Sequence, residues 1–364
     1  MEREIIDPWG ARTFDRYDNI YRKFGIEPVS NYVKDFFKDC YFFERELIIG
    51  YRDFDKIIKQ IKNNKDFVLV SGFASSGEFH FGHKAVIDVY NYFRKFTKRG
   101  YFIICDLDAY VSRPDGKIPN LKKAKEYAID NLANALTLGV KKEDISIQSK
   151  QTSEYFAFSH MVSKKVTLNM MKAALGHYDL GKFAACYLQI SDILYPQLKD
   201  GIGPTLVPVG IDQEPIIRLT RDVARRFSKQ FDFILPSSVY LSHLPSLSNY
   251  KEKMSKSKEG SAILLTEKIE SMQKIVSNAI TGGRDTEEEQ RRLGGRPEIC
   301  PACMMYKFHH PDSEFVKNIF DRERQGKLLC GENKSILKSF LGEFLKEHAK
   351  KYNKFVDVAK EMLE

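Results

Sequence analysis

One tryptophan stands among 364 residues, with only six cysteines and thirteen prolines. Six cysteines scattered over this length make no disulfide framework, so a reducing, cytoplasmic setting is expected. No apolar run reaches the roughly 18 residues that a membrane-spanning helix needs. The opening Met1-Glu2-Arg3-Glu4 has no signal-peptide core, and no membrane partner is expected. There is no internal repeat and no low-complexity tract. Charge is not one-sided either: 58 Lys and Arg against 49 Asp and Glu leave +9, beside a hydrophobic fraction of 43%. That balance excludes a disordered chain. The basic excess suits a polyanionic partner without requiring one.

What is present is an alternation of patterns. Residues 1–62 are charged and aromatic, with short helical patterns at Tyr17–Phe24 and Phe54–Ile61. Phe67–Val70 is an apolar run that ends in Ser71-Gly72, a buried strand entering a loop. Tyr101–Cys105, Asp144–Gln148 and Thr205–Val209 read as further strands. Residues 84–98, 121–138, 153–172, 181–199 and 216–227 carry helical spacing. Strands alternating with helices predict an α/β fold with a parallel sheet, and a ligand beyond the carboxyl ends of its strands. After residue 262 the strand signal fades, and 266–281, 285–292, 313–325 and 333–363 read as helices. The predicted organisation is an N-terminal segment, 1–62, packing on the next unit. A Rossmann-type α/β domain, 63–262, follows with a helical insertion at about 150–200, and then an all-helical domain, 263–364.

Two segments carry chemistry on their own residues. Ser71 to His83 follows the first strand and enters a helix. Small residues there (Gly72, Ser75, Ser76, Gly82) let backbone N–H groups approach a phosphate. His80 and His83, three apart at a helix start, can face one ligand, and Gly82 leaves room for a flat adenine or a ribose. The bland alternative is a turn whose histidines only cap the helix. The second segment, Lys253-Met254-Ser255-Lys256-Ser257, lies in a polar stretch. Two lysines three apart make a mobile cationic clamp that can close on a triphosphate and neutralise charge as pyrophosphate departs; the bland alternative is a solvated loop.

Together, His80-x-Gly82-His83 and the unaltered Lys253-Met254-Ser255-Lys256-Ser257 resemble the signature of class I aminoacyl-tRNA synthetases. Gly210-Ile211-Asp212-Gln213-Glu214-Pro215 with Thr220-Arg221-Asp222-Val223-Ala224, and Gly282-Gly283-Arg284-Asp285-Thr286 through Gly294-Gly295, resemble tryptophanyl-tRNA synthetases. Asp7-Pro8-Trp9, Tyr17-Asp18, Lys23-Phe24-Gly25 and Cys330-Gly331-Glu332 resemble their archaeal and eukaryotic branch. The resemblance implies an AMP-forming ligase. ATP activates L-tryptophan to an adenylate, and tRNA(Trp) takes the acyl group at its 3′ end. It implies His80, His83, Lys253 and Lys256 as catalytic groups. For ATP it implies Gly72, Ser75, Ser76 and Gly82, with Gly210, Asp212, Met254, Ser255 and Ser257. It further implies Mg²⁺ accompanying ATP, no tightly bound protein metal, a homodimer, and an anticodon-binding role for 263–364.

For the amino acid, the resemblance points to Gln189 and Gln213. Asp106 and Asp108, past the strand Tyr101–Cys105, fall on one side of an extended chain. Each suits the indole N–H or the α-ammonium, unless they only cap the turn before Pro114. The chain departs from the family pattern at Val70, Ser71 and Ala74. Asp106-Leu107-Asp108-Ala109-Tyr110 also resembles tyrosyl enzymes, but Ala185 stands where those keep a tyrosine. A tyrosyl-tRNA synthetase, a small-molecule nucleotidyltransferase and a non-catalytic tRNA-binding paralogue are the competing readings. Cys300-Pro301-Ala302-Cys303 with His309 and His310 counts as two Cys and two His. The gap from Cys303 to His309 is too short for a finger-type zinc site, and no metal is expected there. Lys346, Lys350, Lys351 and Lys354 lie on one helical stretch that suits tRNA phosphates or plain solvent.

Overall fold

The computed structural model describes residues 21, 22, 24–176, 179–256 and 258–364. Asp7-Pro8-Trp9, most of Tyr17–Phe24, and Ser257 lie outside the described residues. Among the described residues seven strands form one sheet: β1 (Glu27–Pro28), β2 (Ile48–Arg52), β3 (Val68–Ala74), β4 (Arg99–Cys105), β5 (Ile145–Ile147), β6 (Thr205–Gly210) and β7 (Ser237–Leu241), in the order β1-β2-β7-β6-β3-β4-β5. From β7 to β5 all pairings are parallel. β1 and β2 add antiparallel to the β7 edge. The expected parallel core is therefore extended by an antiparallel flap from the N-terminal segment.

β3 is central for a physical reason. Val68, Leu69 and Val70 are 0–2% exposed, as a strand covered on both faces requires. The chain leaves β3 to β4 on one side and returns later with β6 on the other. That reversal opens a crevice beyond the carboxyl ends of β3 and β6. The helix Phe81–Phe93 leaves this end of β3, burying Ala85, Val86, Val89 and Phe93. The helix Leu121–Thr137 buries Ala124, Ala128, Leu132 and Leu136.

Two readings need correction. The helix expected over 153–172 is two, Ser153–Lys165 and Leu168–Leu175. The β-branched pair Val166-Thr167 is extended, and the Thr167 hydroxyl accepts from Met170 N to cap the second helix. Asp106 and Asp108 do not lie on an extended chain. They open a helix, Asp106–Ser112, directly after β4, so they diverge by about 200° around its axis rather than sharing a side.

Beyond β7 the regular elements are helical: Ile269–Asn278, Glu287–Leu293, Pro301–His309, Ser313–Arg324 and the long Cys330–Leu363. The last packs Leu337, Leu341 and Leu345 inward. It touches the helix Leu121–Thr137 through polar pairs, His348 Nε2 to Asn134 Oδ1 at 2.8 Å and Tyr352 Oη to Asp130 Oδ1 at 2.8 Å. Among the described residues no helix is long and apolar enough to cross a membrane.

Candidate active site

The loops leaving β3, β4, β6 and β7 enclose a cleft of about 640 Å³. His80 is the N-cap of the helix Phe81–Phe93, and its Nδ1 accepts from Gly82 N at 3.1 Å. His83 Nδ1 accepts from His80 N at 3.1 Å. The capping reading of these histidines is thus correct, but it does not exhaust them. Because each Nδ1 is an acceptor, the ring proton sits on Nε2, which remains a donor for a ligand. Desolvation first, then His83, Lys253 and Lys256, push His80 well below its ordinary value. Desolvation and the same two lysines bring His83 down to about 3. Both rings are neutral at physiological pH and serve as hydrogen-bond donors, not cations. The turnover number at saturating substrate should therefore stay flat from about pH 8 to about pH 6, through the ordinary histidine range. A fall in that window with the shape of one imidazole would contradict the assignment.

The lysine loop, far off in sequence, docks on this segment. His80 bridges to Leu264, Leu265 N donates to Phe79 O at 2.9 Å, and Phe81 N donates to Ile263 O. Met254 is 4% exposed and anchors the loop, its N–H donating to Leu244 O. Lys253 Nζ meets Asp212 Oδ2 at 2.9 Å, and His243 Nε2 stands 3.2 Å from Asp212 Oδ1. Burial would raise the Asp212 carboxyl, but Lys253 and His243 outweigh it and hold it well below its ordinary range. Lys256 Nζ meets Glu78 Oε2 at 2.9 Å and lies 4.5 Å from the centre of the Tyr127 ring. Gly77 makes this possible. Its φ of +153° suits no other residue well, and a Cβ there would fall 1.0 Å from Lys256 Nζ. Asn131 Nδ2 holds the Gly77 carbonyl at 2.8 Å. Gly72 is needed for a different reason: a Cβ would stand 2.4 Å from the Ile103 carbonyl on β4.

The other end of the cleft is a buried acidic network. Asp108 accepts from Ser112 Oγ at 3.1 Å and from Gln189 Nε2, and its own N–H donates to Gln148 Oε1 at 3.0 Å. Gln148 Nε2 donates to Asp192 Oδ2 at 2.6 Å, and Tyr155 Oη to Asp192 Oδ1 at 2.7 Å. Burial pushes Asp192 up to about 7, against those two donors, with Asp108 and Asp106 adding repulsion. Gln189 Oε1 is buried without a partner.

Of the sequence-derived residues, Gly72, Ser76, Gly82, Gly210, Asp212 and Gln213 line this cleft. So do Met254, Ser255, Gln189, Asp108, both histidines and both lysines. Two do not. Ser75 is fully buried, its N–H donating to Cys105 O. Asp106 is also fully buried; its Oδ1 accepts from Leu107 N and Ser149 N, tying the turn after β5 to the new helix. Sequence reasoning missed Gly77, Glu78, Tyr127 and His243. A carboxylate two residues before His80 was the available signal for Glu78. Nothing local marks Tyr127 or His243.

Comparison with known proteins bears on this geometry. Residues 62–346 match the family described as tRNA synthetases class I (W and Y). Over its full length the chain is 36% identical to the tryptophan–tRNA ligase of Methanocaldococcus jannaschii, covering 99% of that protein. It is 38% identical to that of Aeropyrum pernix, again covering 99%. The crystal structure of the Aeropyrum pernix tryptophanyl-tRNA synthetase superposes with a TM-score of 0.86 at 37% identity, over 98% of each chain. The chain belongs to the class I tRNA synthetases of the tryptophan and tyrosine group, in the branch of the archaeal tryptophan–tRNA ligases.

Proposed function

We propose that this cleft binds ATP against His80, His83, Lys253 and Lys256, and L-tryptophan against Gln189, Asp108 and Asp192. The tryptophan carboxylate attacks the α-phosphorus, pyrophosphate leaves, and the adenylate stays until the 3′ end of tRNA(Trp) takes the acyl group. Attack on phosphorus needs little covalent help, so positioning and charge stabilisation do most of the catalysis. Neutral Nε2–H donors from the two histidines suit phosphate oxygens. The two lysines neutralise the charge that grows on the leaving pyrophosphate. In the absence of ATP their Asp212 and Glu78 partners hold them in place. Gly210 and Asp212 flank the ribose. Mg²⁺ accompanies ATP as its counter-ion, held by phosphate and water oxygens; Glu78 and Asp212 are each already paired to a lysine. At the amino-acid end, the unpartnered Gln189 Oε1 and the Asp192 carboxylate receive the α-ammonium.

The observation that carries this reading is the docking of Ile263–Leu265 onto Phe79–Phe81, which sets Lys253 and Lys256 beside His80 and His83. Amino-acid-dependent ATP–pyrophosphate exchange tests it. Exchange is expected with tryptophan and not with tyrosine, and the reverse would make this a tyrosyl enzyme. No exchange with any amino acid would leave only a tRNA-binding paralogue.

The helical part after residue 262 is the tRNA-recognising unit in this reading. Lys346, Lys350, Lys351 and Lys354 are exposed on the helix Cys330–Leu363, with Lys350 held by Glu347 at 2.6 Å. Replacing Lys346, Lys351 and Lys354 by Ala should weaken tRNA binding. It should also reduce the salt dependence of log K by roughly one for each phosphate that is no longer neutralised. An unchanged salt slope would mean that this helix face is only solvated.

A further inference from the structure

The thiols Cys300 and Cys303 do not meet the histidines that follow them. His309 packs against Phe81 with ring centres 5.1 Å apart, and His310 stacks on Phe315 at 4.0 Å. What the fold brings to the thiols comes from two other helices. Glu323, near the end of the helix Ser313–Arg324, joins them so that one ligand atom from each of the three residues lies within 4.8 Å of the others. All three residues are 0% exposed. Asn333, in the first turn of the helix Cys330–Leu363, closes the group. Its Nδ2 donates to Cys303 Sγ at 3.3 Å and to Glu323 Oε1 at 2.6 Å.

We propose that Cys300, Cys303, Glu323 and Asn333 form a buried site for one thiophilic divalent cation of the zinc class.

Three features point to a cation and not to a merely satisfied core cluster. The Glu323 carboxyl is fully buried with no Lys or Arg ion-paired to it among the described residues. A charge in that position needs a counter-charge or a proton. Glu323 Oε2 and Asn333 Oδ1 are both buried and without partners, although buried polar atoms are normally satisfied. Half a turn of the Asn333 amide exchanges its nitrogen for that unpartnered oxygen, which then faces Cys303 Sγ and Glu323 Oε1. A cation bound between them would take that oxygen, Cys303 Sγ and the Glu323 carboxylate as ligands. Two thiolates, one carboxylate oxygen and one amide oxygen supply four ligands of the softness and number that zinc takes in closed structural sites.

Binding breaks two S–H bonds and forms two metal–sulfur bonds, with the two protons released to solvent. The bound ion joins the starts of Pro301–His309 and Cys330–Leu363 to the end of Ser313–Arg324, three helices that share no covalent staple. Its removal should lower the melting temperature of the chain without entering the catalytic cleft.

The test uses the full chain, produced in zinc-supplemented medium, passed over a chelating resin and weighed by native mass spectrometry. One zinc per chain is expected, with the mass deficit of two protons. Stripped protein refilled with cobalt should show a thiolate-to-cobalt charge-transfer band and the strong visible bands of a four-coordinate ion. Cys303→Ser should abolish both, and Glu323→Gln should weaken affinity by roughly 10- to 100-fold. No stoichiometric metal, either as purified or after zinc addition, overturns the proposal. So does a Cys300–Cys303 disulfide in the purified protein, or a cobalt complex without the sulfur band. If Cys303→Ser does not fold, the cobalt spectrum of the unaltered chain decides alone.

Discussion

Replacing Lys256 by Ala should lower tryptophan-dependent ATP–pyrophosphate exchange by about 100- to 1,000-fold, or roughly 3–4 kcal/mol, while tryptophan binding stays nearly intact. The expectation comes from where the ammonium stands. Lys256 Nζ is held between Glu78 Oε2 at 2.9 Å and the face of Tyr127, at the phosphate end of the cleft. It shares no hydrogen bond with Asp108, Gln189 or Asp192. Its cation opposes charge that appears only as pyrophosphate departs, so its loss falls on the chemical step. Equilibrium dialysis of tryptophan beside the exchange assay separates the two effects; equal losses in both would contradict the role. Gly77→Ala gives the same phenotype by another route, because the new Cβ claims the space of Nζ. The lysine tip can swing aside, so exchange should fall less than in Lys256→Ala and the fold should survive.

The chemistry of the phosphate end was legible in the sequence because it is local. His80, Gly82 and His83 share one turn, and Lys253 and Lys256 share one loop. The amino-acid end was legible only in part: Gln189, Gln213 and Asp108 were named and line the cleft, but Gln148 and Tyr155 meet Asp192 only through the fold. Gln148 and Asp192 are 44 residues apart, and Tyr155 and Asp192 are 37 apart. Asp106 was misplaced for a related reason. β4 ends at Cys105 and a helix begins at the next residue, with no Gly or Pro to mark the change, so an extended chain was read one turn too far. β2 and β7 escaped notice because their patterns are impure. Gly50 interrupts one, and Ser237 and Ser238 open the other although both are buried. Ser237 Oγ donates to the Asp53 carbonyl at 2.7 Å, a pairing that no periodicity announces. The strands that alternate cleanly with helices, β3 to β6, stand where the apolar runs put them.

Asp192→Asn should raise the stability of the free enzyme above neutral pH and weaken tryptophan binding. The wild-type carboxyl is raised from 3.8 to about 7, chiefly by burial. Between those two values the folded chain holds a proton that the unfolded chain has released, so stability falls as pH rises across that window and stays low above it. Asparagine carries no such charge, and its gain at alkaline pH is at most a few kcal/mol, at about 1.4 per pH unit of the window. The amide fits the site: its oxygen can accept from Gln148 Nε2, and Tyr155 Oη, already 3.2 Å from Leu188 O, can turn its proton there and accept from the new NH₂. The function loses what the fold gains. An amide cannot supply the negative charge that an α-ammonium needs in a buried site, and KM for tryptophan should rise by roughly 100-fold, near 3 kcal/mol. In the wild type KM should climb as pH falls through about 7, while turnover at saturation remains flat. In the variant both should be flat. Melting curves at pH 5 and pH 8, run beside KM at the same values, check the two halves together (on the scale of ordinary carboxylate titration, about pH 4 upward). An Asp192→Asn enzyme that kept the wild-type pH dependence of KM would move the ammonium contact away from Asp192 and onto Asp108.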